Sequence, residues 1–275
     1  MFFQVKHVTR YNYSQPVFCD PLTVRLRPRE ETHQRLLRYR VEIWPPPAGM
    51  SEHLDLSGNA VAVAWFQEMT LSLTVTTSFL VETLLANPYN FLLDPDAMHL
   101  PLSLPSDASS LWAYYLREDL PCAVVRSFAE GIAREVNYQT VPFLSLLAQR
   151  ICDRTERLIR EEGDAWAAEL TLQEAKGSCR DVAVLFNAAC RALGLPARFV
   201  SGYCPAVCDP QVMYLHAWSE VYLPGAGWRA FDASRGLAVA DAHVPVAVGR
   251  DPQDAAPTQG TFRSYGARSS LQSQI

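Results

Sequence analysis

Between positions 69 and 82 the chain reads MTLSLTVTTSFLVE, with Leu71, Leu73, Val75, Thr77, Phe79 and Val81 on alternate residues. A set that repeats every two residues shares a face only in an extended strand; at about 100° per residue it would be smeared around a helix. A strand that is apolar on one side needs hydrogen-bonded neighbours and a second layer over that side. Upstream runs supply the neighbours: FFQVKHVTRYNY, RLLRYRVEIWP and AVAVAWF are short, apolar or loosely alternating, and separated by turn-rich pieces such as PPPAGM and LSGNA. Residues 1–90 are therefore expected to form an antiparallel β-sandwich.

The pattern then changes. NPYNFLLDPDAMHLPLSLPSDASS holds four prolines and no long period, so residues 91–120 read as a linker and a first helix. CAVVRSFAEGIAREV and PFLSLLAQRICDRTERLIREE carry apolar residues at i, i+3, i+4 and i+7, which predicts two helices, the second running to 162 with Pro142 in its first turn. Next comes GSCRDVAVLFNAACRALGLPARFVSGY, residues 177–203. Ser178 suits an N-cap and Asp181 the positive end of a helix dipole; Val182, Leu185, Phe186, Ala189 and Leu193 form one stripe, and Gly194 and Pro196 stop it. ARFVSGY, LHAWSEVYL and GWRAFDA read as strands, the last two joined through PGAG. This order of elements predicts an α+β domain over residues 121–264, with a helix laid on an antiparallel sheet, followed by a mobile tail at 265–275.

Composition narrows the classes of function. Of 275 residues, 49% are hydrophobic and 19% charged, enough for a sizeable core. A net charge of -5 speaks against nucleic acid or an anionic membrane as a bulk partner. There is no apolar run of membrane-spanning length, and the N-terminal residues lack a basic stretch followed by an apolar one, so no export signal is read. Seven cysteines, an odd and scattered set, suggest reduced thiols and a cytoplasmic location.

Two of those cysteines share the predicted helix. Eleven residues bring Cys190 back to within about 20° of the face of Cys179, some 16 Å further along the axis. Cys179 sits where free backbone N–H groups favour a thiolate, and Arg180 adds charge; Cys190 lies under the helix body and reads as packing. A thiol nucleophile needs a base and the base an orienting group. His216 and Asp232 lie on the last two strands. With a three-residue loop Pro224–Ala226, Leu223 pairs with Gly227, Trp218 pairs with Asp232, and His216 is one diagonal step away on the same face. A two-residue loop would turn Asp232 to the other side. Cys204 and Cys208 are four apart with no matching pair of ligands nearby in sequence, and DLSGN is not an EF-hand loop, so neither zinc nor calcium is expected.

GSCRDVAVLFNAACRALGLPARFVSGY resembles the cysteine motif of the transglutaminase-like family, and LHAWSEVYLPGAGWRAFDAS its histidine and aspartate motifs. Upstream, HVTRYNYSQPV, RLRPRE, SGNAVAVAWF and NPYNFLLDPDA resemble the N-terminal β domain of bacterial members; DAHVPVAVGRDPQDAAPTQGTF resembles the segment after the core. The resemblance implies a papain-like Cys-His-Asp triad: Cys179 as nucleophile, His216 as base and acid, Asp232 orienting the imidazole, and no cofactor. It implies a thioester formed from a peptide or protein amide and resolved by water or by an amine co-substrate, with hydrolysis favoured. The rival reading is an idle member of the family acting as a binding or scaffold module. Two positions depart from the usual pattern. Ser178 stands before the cysteine where a hydrophobic residue is common, and Asp232-Ala233-Ser234 replaces Asp-Pro-Thr. The backbone N–H of Cys179 is one expected oxyanion donor; Gln173, Trp166 and Trp218 are candidates for the second, and Tyr203 and Trp218 for the cleft lining.

Overall fold

The computed structural model describes all residues except 103, 105–108, 118–121 and 161–162. Six strands come first: β1 (Phe2–Cys19), β2 (Leu22–Val24), β3 (Gln34–Trp44), β4 (Gly49–Leu54), β5 (Ala60–Trp65) and β6 (Met69–Thr83). Helices α1 (Ser109–Leu116), α2 (Ala123–Glu135) and α3 (Thr140–Arg154) follow, then β7 (Glu156–Arg157), α4 (Ala168–Glu174), β8 (Lys176–Gly177) and α5 (Cys179–Ala192). The chain ends with β9 (Ala197–Pro205), β10 (Met213–Leu223), β11 (Gly227–Asp232), β12 (Leu237–Ala238), β13 (Val244–Gly249), β14 (Thr258–Gln259), β15 (Phe262–Arg263) and β16 (Ser269–Gln274).

The alternation in 69–82 does what its period requires. Leu73, Val75, Thr77, Phe79 and Val81 are buried, and in register they meet Tyr11, Thr9, His7, Val5 and Phe3 of β1. One sheet runs β15-β1-β6-β3, with β16 also on β1; a second runs β14-β2-β5-β4. Their inner faces share one apolar cluster, in which Val5, Val75 and Phe79 meet Leu22, Val24 and Ala62, so the sandwich is present. Its boundary differs from the expected one. β14, β15 and β16 return from the far end of the chain to pair with β2 and β1, and Ser269–Gln274, expected as a mobile tail, pairs with Val8–Tyr13. β14 and β15, of two residues each, carry no period that a sequence can display, and β16 is exposed along its whole length, with no apolar alternation to mark it.

The remaining sheet has the order β12-β11-β10-β9-β13, all antiparallel. α5 lies against β9 and β10, burying Val182, Leu185, Phe186 and Ala189, with Phe186 stacked 5.8 Å from Phe231. Gly194, at φ 79, turns the chain out of α5, and the N–H groups of Gly194 and Leu195 cap the carbonyls of Arg191 and Cys190. α2 and α3 cover the helix from outside through Val125, Ile132, Phe143, Leu144 and Leu147. α3 stops at Arg154, short of the predicted 162 (161 and 162 are outside the described residues). Glu156–Arg157 instead pairs in parallel with Lys176–Gly177, a pairing that fixes the approach to α5. The sandwich and this sheet are packed together, since Phe79 lies 5.3 Å from the ring of Tyr203 and His7 Nδ1 is hydrogen-bonded to its hydroxyl at 2.7 Å.

Candidate active site

The start of α5 is held by a buried carboxylate. Asp181 Oδ2 accepts the backbone N–H and the hydroxyl of Ser178 at 2.7 and 2.8 Å, while Oδ1 accepts from Arg160 at 2.6 Å and from the backbone N–H of Trp166 at 2.7 Å. Asp thus does at the third helical position what Glu or Gln does in a capping box. Gly177 leaves room alongside, because a Cβ there would sit 3.0 Å from Asp181 Cβ and 3.2 Å from Thr171 Cγ2. Asp181→Ala would strip these donors of their acceptor. A loss of about 2–4 kcal/mol by urea unfolding is expected; a loss below about 1 kcal/mol would show that the network is incidental.

Cys179 is the first residue of α5 and is partly exposed, whereas Cys190 is fully buried and burial pushes its thiol well up. Burial by itself also raises the Cys179 pKa, but the hydrogen bond and charge of His216 and the backbone N–H of Ala217 outweigh it, and the thiol ends below its ordinary value. Burial lowers the His216 pKa; Asp232 and Cys179 more than reverse this and bring it up to about 9.

The hairpin meets the register condition. Leu223 pairs with Gly227 and Ser219 with Phe231, so the next step along the ladder sets Trp218 opposite Asp232. Gly225 at φ 83 and Gly227 at φ 75 make the odd-length loop, whose tip is held where the N–H of Asp94 donates to the carbonyl of Pro224 at 3.0 Å. His216 Nε2 then donates to Asp232 Oδ2 at 2.8 Å, with both side chains buried. Burial raises a carboxyl pKa, yet the hydrogen bonds from His216 and His243 hold Asp232 far below the usual carboxylate range. Ser234, the departure from the usual proline-threonine turn, donates its N–H and its hydroxyl to Asp232 Oδ1 at 3.0 and 2.7 Å.

The other sequence candidates separate. Gln173 is exposed, and its amide donates to Glu169 on its own helix at 3.1 Å; Trp166 lies under the Arg160 guanidinium. The N–H identified at the Cys179 sulfur belongs to Ala217, not to either of them. Tyr203 is fully buried against the sandwich. Trp218 is buried beside His216, 6.2 Å from its ring, and lies so close over Gly202 that a Cβ there would strike the indole and the Val244 carbonyl.

Sequence reasoning missed His243 and the pairing of Arg157 and Arg235 on one hydroxyl. Each guanidinium donates to Tyr214 at 2.9 Å, beside His216, which makes that flank of the site cationic. Their positions, 57 and 21 residues from Tyr214, give no local signal. Among the described residues, the donor atoms grouped closely enough to hold a metal ion belong to Cys204, His216 and His243, within 4.8 Å of one another. Cys204 does therefore meet two histidines, from other strands. Burial pushes the Cys204 thiol up to about 12, and Nε2 of each imidazole is engaged with Asp232 Oδ2.

Residues 3–82 match the model of the bacterial transglutaminase-like N-terminal region, and residues 126–233 that of the transglutaminase-like superfamily. An uncharacterised protein of Mycobacterium leprae is 26% identical over 96% of this chain and 94% of its own length. One of Mycobacterium tuberculosis is 29% identical over 94% of this chain and 86% of its own. Among solved structures, a candidate cysteine protease of Cytophaga hutchinsonii has a TM-score of 0.68 at 22% identity, covering 100% of this chain and 93% of that one, a likeness of fold.

Proposed function

Because this chain belongs to the transglutaminase-like superfamily, we propose that it carries out cysteine-dependent acyl transfer on peptide or protein amides. Cys179 is the nucleophile, His216 the base and acid, and Asp232 the group that orients the imidazole. The observation that carries this reading is the division of labour on the His216 ring. Nε2 is committed to Asp232 at 2.8 Å, and Nδ1 is buried with no hydrogen-bond partner of its own, which leaves it available to the Cys179 thiol that interacts with the ring.

With the thiol lowered and the imidazole raised, the pair is thiolate and imidazolium at neutral pH. The thiolate attacks the amide carbon, and the oxyanion forms beside the N–H of Cys179 at the helix start. As the C–N bond breaks, Nδ1–H protonates the leaving amine, and a thioester remains. Nδ1 then takes a proton from the incoming nucleophile, the tetrahedral intermediate collapses, and the thiolate is released. Water is the favoured nucleophile and a primary amine the alternative. No cofactor is needed for these steps.

Two limbs follow in the pH profile of kcat/KM. Activity rises as Cys179 ionises below the ordinary thiol range, and falls as His216 loses its proton near pH 9. Iodoacetamide across the same pH range tests the pair without substrate. Cys179 is labelled first, well below the pH at which an ordinary thiol reacts, and His216→Ala moves its profile up. If native Cys179 reacts no faster than Cys190, the reading is lost and a scaffold role stands in its place. Glutamine-containing peptides, with and without a primary amine, then separate hydrolysis from transfer.

A further inference from the structure

Asp232 serves two imidazoles. His216 Nε2 lies 2.8 Å and His243 Nε2 3.0 Å from the same oxygen, Oδ2, while Ser234 occupies Oδ1. An ionised carboxylate only accepts, so His243 must carry its proton on Nε2. Burial lowers the His243 pKa and keeps it neutral, and its Nδ1 is buried without a partner. An oxygen that accepts two N–H donors does so along two directions; the second donor therefore fixes which direction is left to the first.

His243 is itself placed by the fold. It directly precedes β13, whose Val244 pairs with Tyr203, and its ring stands edge-to-face with Trp218 at 5.0 Å. Trp218 is seated by the bare backbone of Gly202. A continuous set of contacts thus runs from Gly202 through Trp218, His243, Asp232 and His216 to Cys179. The acyl-transfer steps use one imidazole, and Ser234 already satisfies the other carboxylate oxygen, so the second imidazole has no chemical part.

We infer that His243 is a positioning residue: by donating Nε2–H to Asp232 Oδ2 it fixes the rotation of the carboxylate, and so keeps His216 Nδ1 on the Cys179 thiol. This rests on the acyl-transfer reading above. His243 acts through Asp232 and not on the Cys179 sulfur.

The test compares His243→Ala, which removes the donor, with His243→Gln, whose side-chain amide can donate from the place of Nε2. His243 already lines a cavity of about 420 Å³ between residues 29–34 and the sheet, so the smaller side chain enlarges an existing space. Should His243→Ala not fold, His243→Leu, nearer in volume and without a donor, replaces it. Two assays are read: the rate of Cys179 alkylation at pH 7, and turnover of a peptide amide, as kcat and KM. The donor-less variant is expected to lose about 10–100-fold in kcat with KM within about threefold, and to slow alkylation; His243→Gln recovers most of both. If the donor-less variant stays within about twofold of wild type in both, or if folded His243→Gln falls as far as the donor-less one, the inference is overturned. Failure of the acyl-transfer reading would appear in the wild type, as an unreactive Cys179 or no turnover; failure of this inference appears only in the variants.

Discussion

Cys179→Ala is expected to abolish turnover of any peptide amide the wild type processes, a fall of at least about 10⁴-fold in kcat, while the protein melts within a few degrees of wild type. The thiol is partly exposed at the first residue of α5, and the elements that hold the helix start, Ser178, Asp181 and Gly177, are untouched by the substitution. His216 and Asp232 keep their 2.8 Å contact. What disappears is the atom that the proposed mechanism uses to form the thioester. Cys190→Ala is the matched control, since that sulfur is buried among Val182, Phe186 and Ala189 in the core cluster. It should cost stability and leave kcat alone. If Cys179→Ala retains more than about a tenth of wild-type kcat, measured on protein freed of contaminating enzyme, the nucleophile assignment is wrong.

Asp232→Asn should cost about 10³–10⁴-fold in kcat with little change in size or shape. An asparagine that turns its amide toward His216 offers a donor where the carboxylate accepted. His216 Nε2 must then give up its proton and accept, and the proton moves to Nδ1, the nitrogen that the proposed mechanism pairs with Cys179. The carboxylate also raises the imidazole pKa against the opposite pull of burial. Without that charge the His216 pKa falls, although Cys179 still raises it, and the imidazolium that lowers the Cys179 thiol is less populated at neutral pH. The alkylation profile of Cys179 should accordingly move toward that of an ordinary thiol. A profile unchanged in Asp232→Asn would mean that Asp232 does not set the state of the pair.

Much of this site is legible in residues close together in the chain. The helix start at Ser178-Cys179, the stop at Gly194 and the three-residue hairpin loop are local matters of capping, positive φ and strand parity. Given a three-residue loop, parity places His216 and Asp232 on one face, and helix geometry separates Cys179 from Cys190 by position along one helix. The alternation of 69–82 likewise determines a half-buried strand before any partner is known.

Tertiary structure decided the rest, because it depends on contacts that no local period encodes. The sandwich recruits β14–β16 from the opposite end of the chain, through pairings such as Val8 with Gln274. α3 ends at Arg154 although its apolar pattern continues, and Glu156–Arg157 pairs instead with Lys176–Gly177, a partner about twenty residues away. Asp181 looks in sequence like a helix-start acid, and only packing brings Arg160 and the Trp166 backbone to it. His243 reads as one histidine in a loop until β13, by pairing with β9, sets its Nε2 3.0 Å from Asp232. The sequence by itself determined which residues point the same way along a helix or strand, since backbone geometry repeats every 3.6 or two residues. The tertiary structure decided which of those faces meet, since that follows from burying apolar surface across the whole chain at once.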